Sequence, residues 1–330
     1  MEFRSHRRFI VICSLLFAIV AYFLSNRISP TLRSLLPFST SVPAVPVRNF
    51  NHSANTMSKK APVYFVSHGG PNTMFDTKHP VYPVLQKIGQ EITQKVKPKA
   101  IVVFSAHWEA GPSNIQVNTA VKTDLIYDYY GFPPEYYEVK YPNKGDPELA
   151  SKIIGILQDA GIEAEGTKRG LDHGVYVGFS VAFNPEKNPL NIPIVQVSQY
   201  KSPDVNQHYR LGQAVARLRD ENIVIIGAGM SVHNLRDLRF AFGSPQPLPY
   251  VKSFDEALKP AMEAPPSERQ ARLAEVAKRP DAHQAHPHFD HLMPAYITAG
   301  AAGEDTGKQL WTYHESSMGW AMYRFGEVSA

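Results

Sequence analysis

Val63-Tyr-Phe-Val-Ser-His68 and Ile101-Val-Val-Phe-Ser-Ala-His107 are short apolar runs that each end on a histidine, and Ile223-Val-Ile-Ile226 reaches a third, His233, through Gly227-Ala-Gly-Met-Ser-Val232. Short β-branched and aromatic runs followed by helical patterns read as β-α units of an open parallel sheet. Such sheets bind their ligands in the crevice outside the carboxyl ends of the strands. Three histidines at equivalent strand ends therefore share one crevice. Imidazole suits zinc, copper, iron or nickel, so the pattern points to a metal site with positions left open for chemistry.

Outward from these runs, the sequence predicts strands at 62–67, 100–105, 191–198 and 223–228, with weaker ones at 114–119 and 309–313. Helices are expected at 80–96, 146–160, 204–221, 248–263, 266–278 and 291–300. Asp146-Pro147-Glu148 and Ser202-Pro203-Asp204 carry helix-start chemistry, a capping side chain with proline and early acidic residues. The expected architecture is α/β: one catalytic domain over 57–330, with a mostly parallel central sheet flanked by helices and a metal site at the C-terminal ends of the strands.

The first 56 residues differ in kind. Phe9 to Leu24 is uncharged and mostly apolar, with Arg4, Arg7 and Arg8 before it and Arg27 and Arg33 after it. It is shorter than the ~20 residues a membrane-spanning helix usually needs. No acidic residue lies between Glu2 and Asp76. Three readings compete: membrane attachment through residues 9–24, an organellar presequence, and an extension ahead of a translation start at Met57. The first two place the protein at a membrane or in an organelle, the third in the cytoplasm. Asn51-His-Ser53 is a glycosylation sequon, informative only in a secretory lumen.

Among 330 residues, 43% are hydrophobic, ample for a core, and the one cysteine, Cys13, lies in the N-terminal run, so no disulfide supports the folded part. The formal charge of +4 owes much to the tail. From residue 61 onward no basic stripe argues for nucleic acid.

A fourth histidine, His173, sits in Gly170-Leu-Asp-His-Gly174, read as a loop flanked by glycines. With Asp172 beside it, an acid/base role competes with that of an ordinary turn histidine. The tract His283-Gln-Ala-His286-Pro-His288-Phe-Asp290-His291 runs into an apolar helix. Asp290 or His291 at the helix start is placed to complete a site, while His283, His286 and His288 are expected at the surface. Tyr127 to Pro142 is rich in aromatics, proline and glycine, either packed over the sheet edge or a lid over a flat ligand.

Taken together, Ser67-His68-Gly-Gly-Pro71, Ser105-Ala-His107-Trp108, Asp172-His173-Gly174, Val232-His233-Asn-Leu-Arg236 and Pro287-His-Phe-Asp-His291-Leu-Met-Pro294 resemble the DOPA-dioxygenase-like branch of the class III extradiol ring-cleavage dioxygenases. Tyr130-Gly-Phe-Pro-Pro-Glu-Tyr-Tyr137 resembles the same branch, and the likeness runs from about residue 62 to Tyr323-Arg-Phe-Gly326. The resemblance implies an α/β enzyme that inserts both atoms of O2 beside the hydroxyls of a catechol, opening the ring to a muconic semialdehyde. It implies Fe(II) as cofactor, with Zn(II) able to take the same site. Carried over by motif, His68, His107, His233 and His291 are metal-site residues and His173 the acid/base; His233 either ligates the metal or works beside it as a base. Trp108, Tyr130 and Phe132 are expected to hold the ring flat.

Two other function classes compete at this stage. Three histidines and a water also describe a zinc hydrolase, and the same fold can carry a catalytically silent metal-binding protein. A nucleotide site at Gly227-Ala-Gly229 fails, because the third glycine of the fingerprint falls at Val232.

Overall fold

The computed structural model describes residues 60–328, which belong to a compact unit, Met57–Ala330. The run at 9–24, Cys13, the sequon and Met57 lie outside the described residues. No helix among the described residues is long and apolar enough to cross a membrane. With the run itself also short of a full span, the expected membrane attachment is withdrawn.

Strands β1 (Val63–Ser67), β2 (Ala100–Glu109), β3 (Asn114–Asn118), β4 (Leu125–Ile126), β5 (Glu163–Thr167), β6 (Leu171–Asp172), β7 (Ile194–Gln199) and β8 (Ile223–Gly229) come first. They are followed by β9 (Val232–His233), β10 (Gly307–Trp311), β11 (His314–Glu315), β12 (Met318–Gly319) and β13 (Met322–Phe325). The main sheet has eight strands in the order β10-β13-β1-β8-β2-β7-β3-β5. Its centre, β1-β8-β2-β7, is parallel, as expected. The whole is mixed: β13 joins β1 antiparallel, β10 joins β13 antiparallel, and β3 meets β7 antiparallel. β10 overlaps the weaker strand expected at 309–313, whereas β13, only four residues long, was not expected.

The central strands read as unbroken apolar runs because both faces are covered. Val63, Phe65, Val102 and Phe104 enter one core, and Tyr64, Val66, Ile101 and Val103 the other. Helices α1 (Val81–Gln90), α2 (Pro147–Asp159), α3 (His173–Ala182), α4 (Val205–Val215), α5 (Leu235–Ala241), α6 (Pro249–Met262), α7 (Pro266–Ala277), α8 (Ala282–Ala285) and α9 (Met293–Ala301) supply the covering layers. α2, α4, α6, α7 and α9 feed the first core, α1 and α3 the second. Each fully buried aliphatic or aromatic side chain contributes about 1.5–3 kcal/mol of transfer free energy.

α3 corrects the sequence expectation. His173 is not in a loop but opens a ten-residue helix buried on nearly every side. A helix without a polar face has no 3.6-residue stripe to reveal it.

Three adjacent strands place the histidines. β1 ends one residue before His68, β2 contains His107, and β8 ends at Gly229, from which the chain turns into β9 with His233. β9 is held by the hairpin β11-β12, with Met318 paired to His233. The glycines of β8 serve packing: a Cβ on Gly229 would lie 2.3 Å from the carbonyl oxygen of His291, and one on Gly227 would lie 2.5 Å from that of Pro294. The segment entering α9 thus rests directly on the strand, fastened by the Met230 N–H to the His291 carbonyl at 2.9 Å.

Gly229→Ala is therefore expected to cost at least ~2 kcal/mol of stability by overpacking against backbone and to weaken metal binding by displacing His291. Gly155→Ala is the control, since a methyl there meets nothing within 4 Å in the middle of α2; it should be neutral or gain about 0.5–1 kcal/mol. Urea midpoints and Zn(II) titrations of both variants check this, and an unperturbed Gly229→Ala would remove the packing argument.

Candidate functional site

His68 is 2% exposed, and its Nδ1 lies 2.7 Å from the carbonyl oxygen of Gly69. A carbonyl only accepts, so Nδ1 carries the proton and Nε2 keeps its lone pair. That Nε2 is buried with no hydrogen-bond partner. Around it the His107, His291 and His173 ring centroids lie at 5.1, 5.3 and 5.6 Å.

His107 directs Nδ1 to Asp128 Oδ2 at 3.1 Å and Nε2 toward His291 Nε2, also at 3.1 Å. His173 directs Nδ1 to Asp128 Oδ1 at 2.8 Å, and its backbone N–H donates to the same oxygen at 3.1 Å. One ring nitrogen from each of His68, His107 and His173 falls within 4.8 Å of the others, a buried triad able to hold a metal ion. His291 joins through His107, its Nδ1 3.2 Å from Asp290 Oδ1 without the alignment of a hydrogen bond. His233 stacks flat on His291, centroids 3.5 Å apart and planes 8° apart. The structure thus gathers all five predicted histidines, with His233 on the outer side of His291.

Their charges follow from burial. Desolvation, then the neighbouring histidines, push His68 well below the usual imidazole range. Burial and the other imidazoles do the same to His291, and burial followed by His291 does so to His233. His173 is lowered chiefly by burial, against the pull of Asp128. For His107 burial also works against the charge, but the hydrogen bond to Asp128 and the surrounding aspartates outweigh it, and its pKa is raised. Burial opposes the Asp128 carboxylate, yet its bonds to His107 and His173 prevail and hold it far below the usual range. Mostly neutral imidazoles beside one ionised carboxylate are what a divalent cation needs as ligands.

The residues around the cluster are committed elsewhere. Asp172, expected beside His173, faces away: it accepts from Ser105 Oγ at 2.6 Å, Arg169 at 2.7 Å and Gln196 at 2.6 Å. Arg169 also covers Trp108, its guanidinium carbon 4.8 Å from the ring centroid. Gly174 lets α3 approach β2, because a Cβ there would lie 2.5 Å from Ser105 Oγ and 2.8 Å from His107 Cδ2.

The aromatic loop is mostly packed on itself. Tyr129 donates to the Tyr136 carbonyl at 2.6 Å and Tyr127 to that of Val139 at 2.6 Å, while Tyr176 of α3 donates to Tyr129 at 3.0 Å. Phe132 packs edge-on against Tyr129 and tilted against Tyr136, and Tyr130 points to solvent at 89% exposure. In the histidine tract His283 and His288 are exposed as expected, but His286 is fully buried and donates Nε2–H to the Ser231 carbonyl at 2.8 Å.

Asp128 is the site residue that sequence reasoning missed. The available signal was an acid flanked by tyrosines, Tyr127-Asp-Tyr-Tyr130, where solvated charge is not expected.

The family described as the catalytic LigB subunit of aromatic ring-opening dioxygenase matches residues 57–326. This chain belongs to that family. Within it, the chain is 37% identical over 253 residues to "4,5-DOPA dioxygenase extradiol" of Beta vulgaris, covering 75% of this chain and 89% of the relative. It is 32% identical over 274 residues to the "4,5-DOPA dioxygenase extradiol-like protein" of Schizosaccharomyces pombe (78% and 90% covered) and 35% identical over 294 residues to "Dioxygenase tasH" of Hapsidospora irregularis (82% and 87% covered). The crystal structure of uncharacterized protein JW3007 from Escherichia coli K12 superposes with a TM-score of 0.64 at 26% identity, covering 81% of this chain and all of that one. This LigB-type protein is an extradiol ring-cleavage dioxygenase of the DOPA-dioxygenase-like branch, acting on a catechol-type substrate with O2 at a buried histidine cluster. The zinc-hydrolase and silent-protein readings fall away.

Proposed function

We propose that the metal is Fe(II), held by His68, His107 and His291 where β1 and β2 end, and that the substrate is DOPA or a similarly substituted catechol. The carrying observation is the 3.1 Å approach of His107 Nε2 to His291 Nε2 beside the unpartnered Nε2 of His68. Two nitrogens bonded to one ion at ~2.0–2.1 Å lie about 3.0–3.4 Å apart. The "4,5-DOPA" in the relatives' names supports the substrate class. Residues 57–330 carry the activity and residues 1–56 form a separate N-terminal segment.

Bound Fe(II) supplies the one-electron chemistry that lets O2 react with an aromatic ring. The protein's own part is charge, orientation and protons. Neutral imidazoles leave the positive charge of the metal undiminished, which favours a catechol that has lost its hydroxyl protons. His173, neutral at pH 7 because burial lowers its pKa, takes a hydroxyl proton on Nε2 as the catechol binds and returns it as the ring opens. His233, stacked on His291, fixes that ring and stands as a second proton carrier. The Tyr129 ring, edge-on to His173 with centroids 5.5 Å apart, helps exclude water from the reacting carbons.

Oxygen uptake by the purified chain, loaded anaerobically with Fe(II) and offered DOPA and simpler catechols, tests the proposal. One O2 per substrate with a yellow product is expected from the iron form and none from the zinc form. Silence across the panel with iron bound would overturn the assignment of metal and substrate.

A further inference from the structure

We infer that Asp128 is a shared positioning residue whose single carboxylate fixes the tautomers of two histidines of different function, and that its two oxygens are not equivalent. The inference rests on the reading of His107 as a ligand and His173 as a proton carrier.

Oδ1 accepts twice from His173, from the ring Nδ1–H at 2.8 Å and from the backbone N–H at 3.1 Å. Oδ2 faces His107 Nδ1 at 3.1 Å, within ion-pair reach but without the alignment of a hydrogen bond. Two donors of His173 bond to Oδ1 while His107 Nδ1 stands against Oδ2, and a neutral ring that turns Nδ1–H to the carboxylate keeps its Nε2 lone pair. Asp128 also satisfies the first N–H of α3, which its own N-cap residue leaves without a side-chain bond. Neither Asp172, spent on Ser105, Arg169 and Gln196, nor Asp290 offers such a bond to either Nδ1. The carboxylate comes from the aromatic loop, so the packing of that loop on α3 through Tyr129 and Tyr176 sets the register of both rings at once.

The asymmetry gives an unusual expectation for Asp128→Asn. A backbone N–H cannot reverse its role, so the amide oxygen must face His173 and the amide NH2 must face His107. His173 then keeps its tautomer. His107 is forced to accept on Nδ1, which moves its proton to Nε2 and removes the lone pair aimed at the metal.

Long-range 1H–15N spectra of the metal-free protein, taken at alkaline pH so that His107 is neutral despite its raised pKa, read this directly. In the wild type both His107 and His173 should be Nδ1-protonated; in Asp128→Asn only His107 should switch. Zn(II) affinity, measured against a chromophoric chelator, should fall about 10–100-fold while the melting temperature moves little. Asp128→Glu, which keeps two accepting oxygens, should recover part of the Zn(II) affinity. An unchanged His107 tautomer in Asp128→Asn, or Zn(II) affinity within threefold of wild type, overturns the inference. Should Asp128→Asn fail to fold, a wild-type spectrum with either ring protonated on Nε2 overturns it equally. Wild type that binds Zn(II) with both tautomers as stated, yet consumes no O2 with Fe(II), would strike the functional reading and leave the tautomer lock standing.

Discussion

His173→Ala retains a full equivalent of divalent metal and loses about 10²–10⁴-fold in kcat, the usual worth of a positioned acid/base, whereas His68→Ala loses the metal itself. The two histidines occupy the same buried triad, so proximity alone does not separate them. Their hydrogen bonds do. His68 gives its Nδ1 proton to its neighbour's carbonyl at 2.7 Å, and its Nε2 has no partner in a nearly solvent-free position. Leaving such an atom unpaired costs ~1–3 kcal/mol unless something takes its lone pair, so its removal strikes binding first. His173 sits at the start of α3 with its ring and backbone both on Asp128, a setting that stabilises an imidazolium once a proton arrives. Metal content by atomic absorption and kcat by O2 uptake decide the matter. A metal-free His173→Ala would instead make His173 a ligand, with His291 outside the coordination.

The histidine cluster itself was legible because chemistry and period coincide in β1, β2 and β8: apolar runs too short for helices, each ending at glycine or histidine. Capping residues revealed α2 and α4, whose Asp146 and Asp204 side chains accept from the helix N-terminal amides. What stayed hidden depends on contacts distant in sequence. α3 lacks a polar face, so His173 resembled a loop residue. His286 looked solvated in a polar tract, yet the carbonyl of Ser231 draws it inside. Asp128 gains its meaning from His107 and His173, which are brought to it only by the sheet order and the fold of the aromatic loop. Asp172, adjacent to His173 in sequence, was the natural partner to expect, but it ends β6 while His173 opens α3, and its carboxylate is taken by Ser105, Arg169 and Gln196.

The metal-free protein is expected to lose stability as the pH falls from 7 to 5. His68, His233 and His291 are held neutral by burial, well below their ordinary range; His173 is lowered too, and burial pushes His286 down to about 4. In the unfolded chain each takes a proton near pH 6.5. Below that pH the unfolded state binds more protons than the folded one, so stability falls as pH falls and continues to fall until each folded pKa is reached. Above pH 6.5 both states are neutral and the contribution is flat. Each such histidine costs about 1.4 kcal/mol per pH unit within its window, or roughly 2 kcal/mol at pH 5 for His286 alone. His107 opposes them, since its raised pKa stabilises the fold at low pH and that gain is lost as pH rises through it, but it is one group against six, His208 being lowered by burial as well. Urea midpoints at pH 8, 7, 6 and 5 measure the sum. His286→Gln, which still offers an N–H to the Ser231 carbonyl, should lessen the drop at pH 5 by about 2 kcal/mol without touching the metal cluster. A midpoint that stays level from pH 7 to 5 would mean that these imidazoles are charged or solvated in the folded protein, and the neutral-ligand account of the site would fall with it.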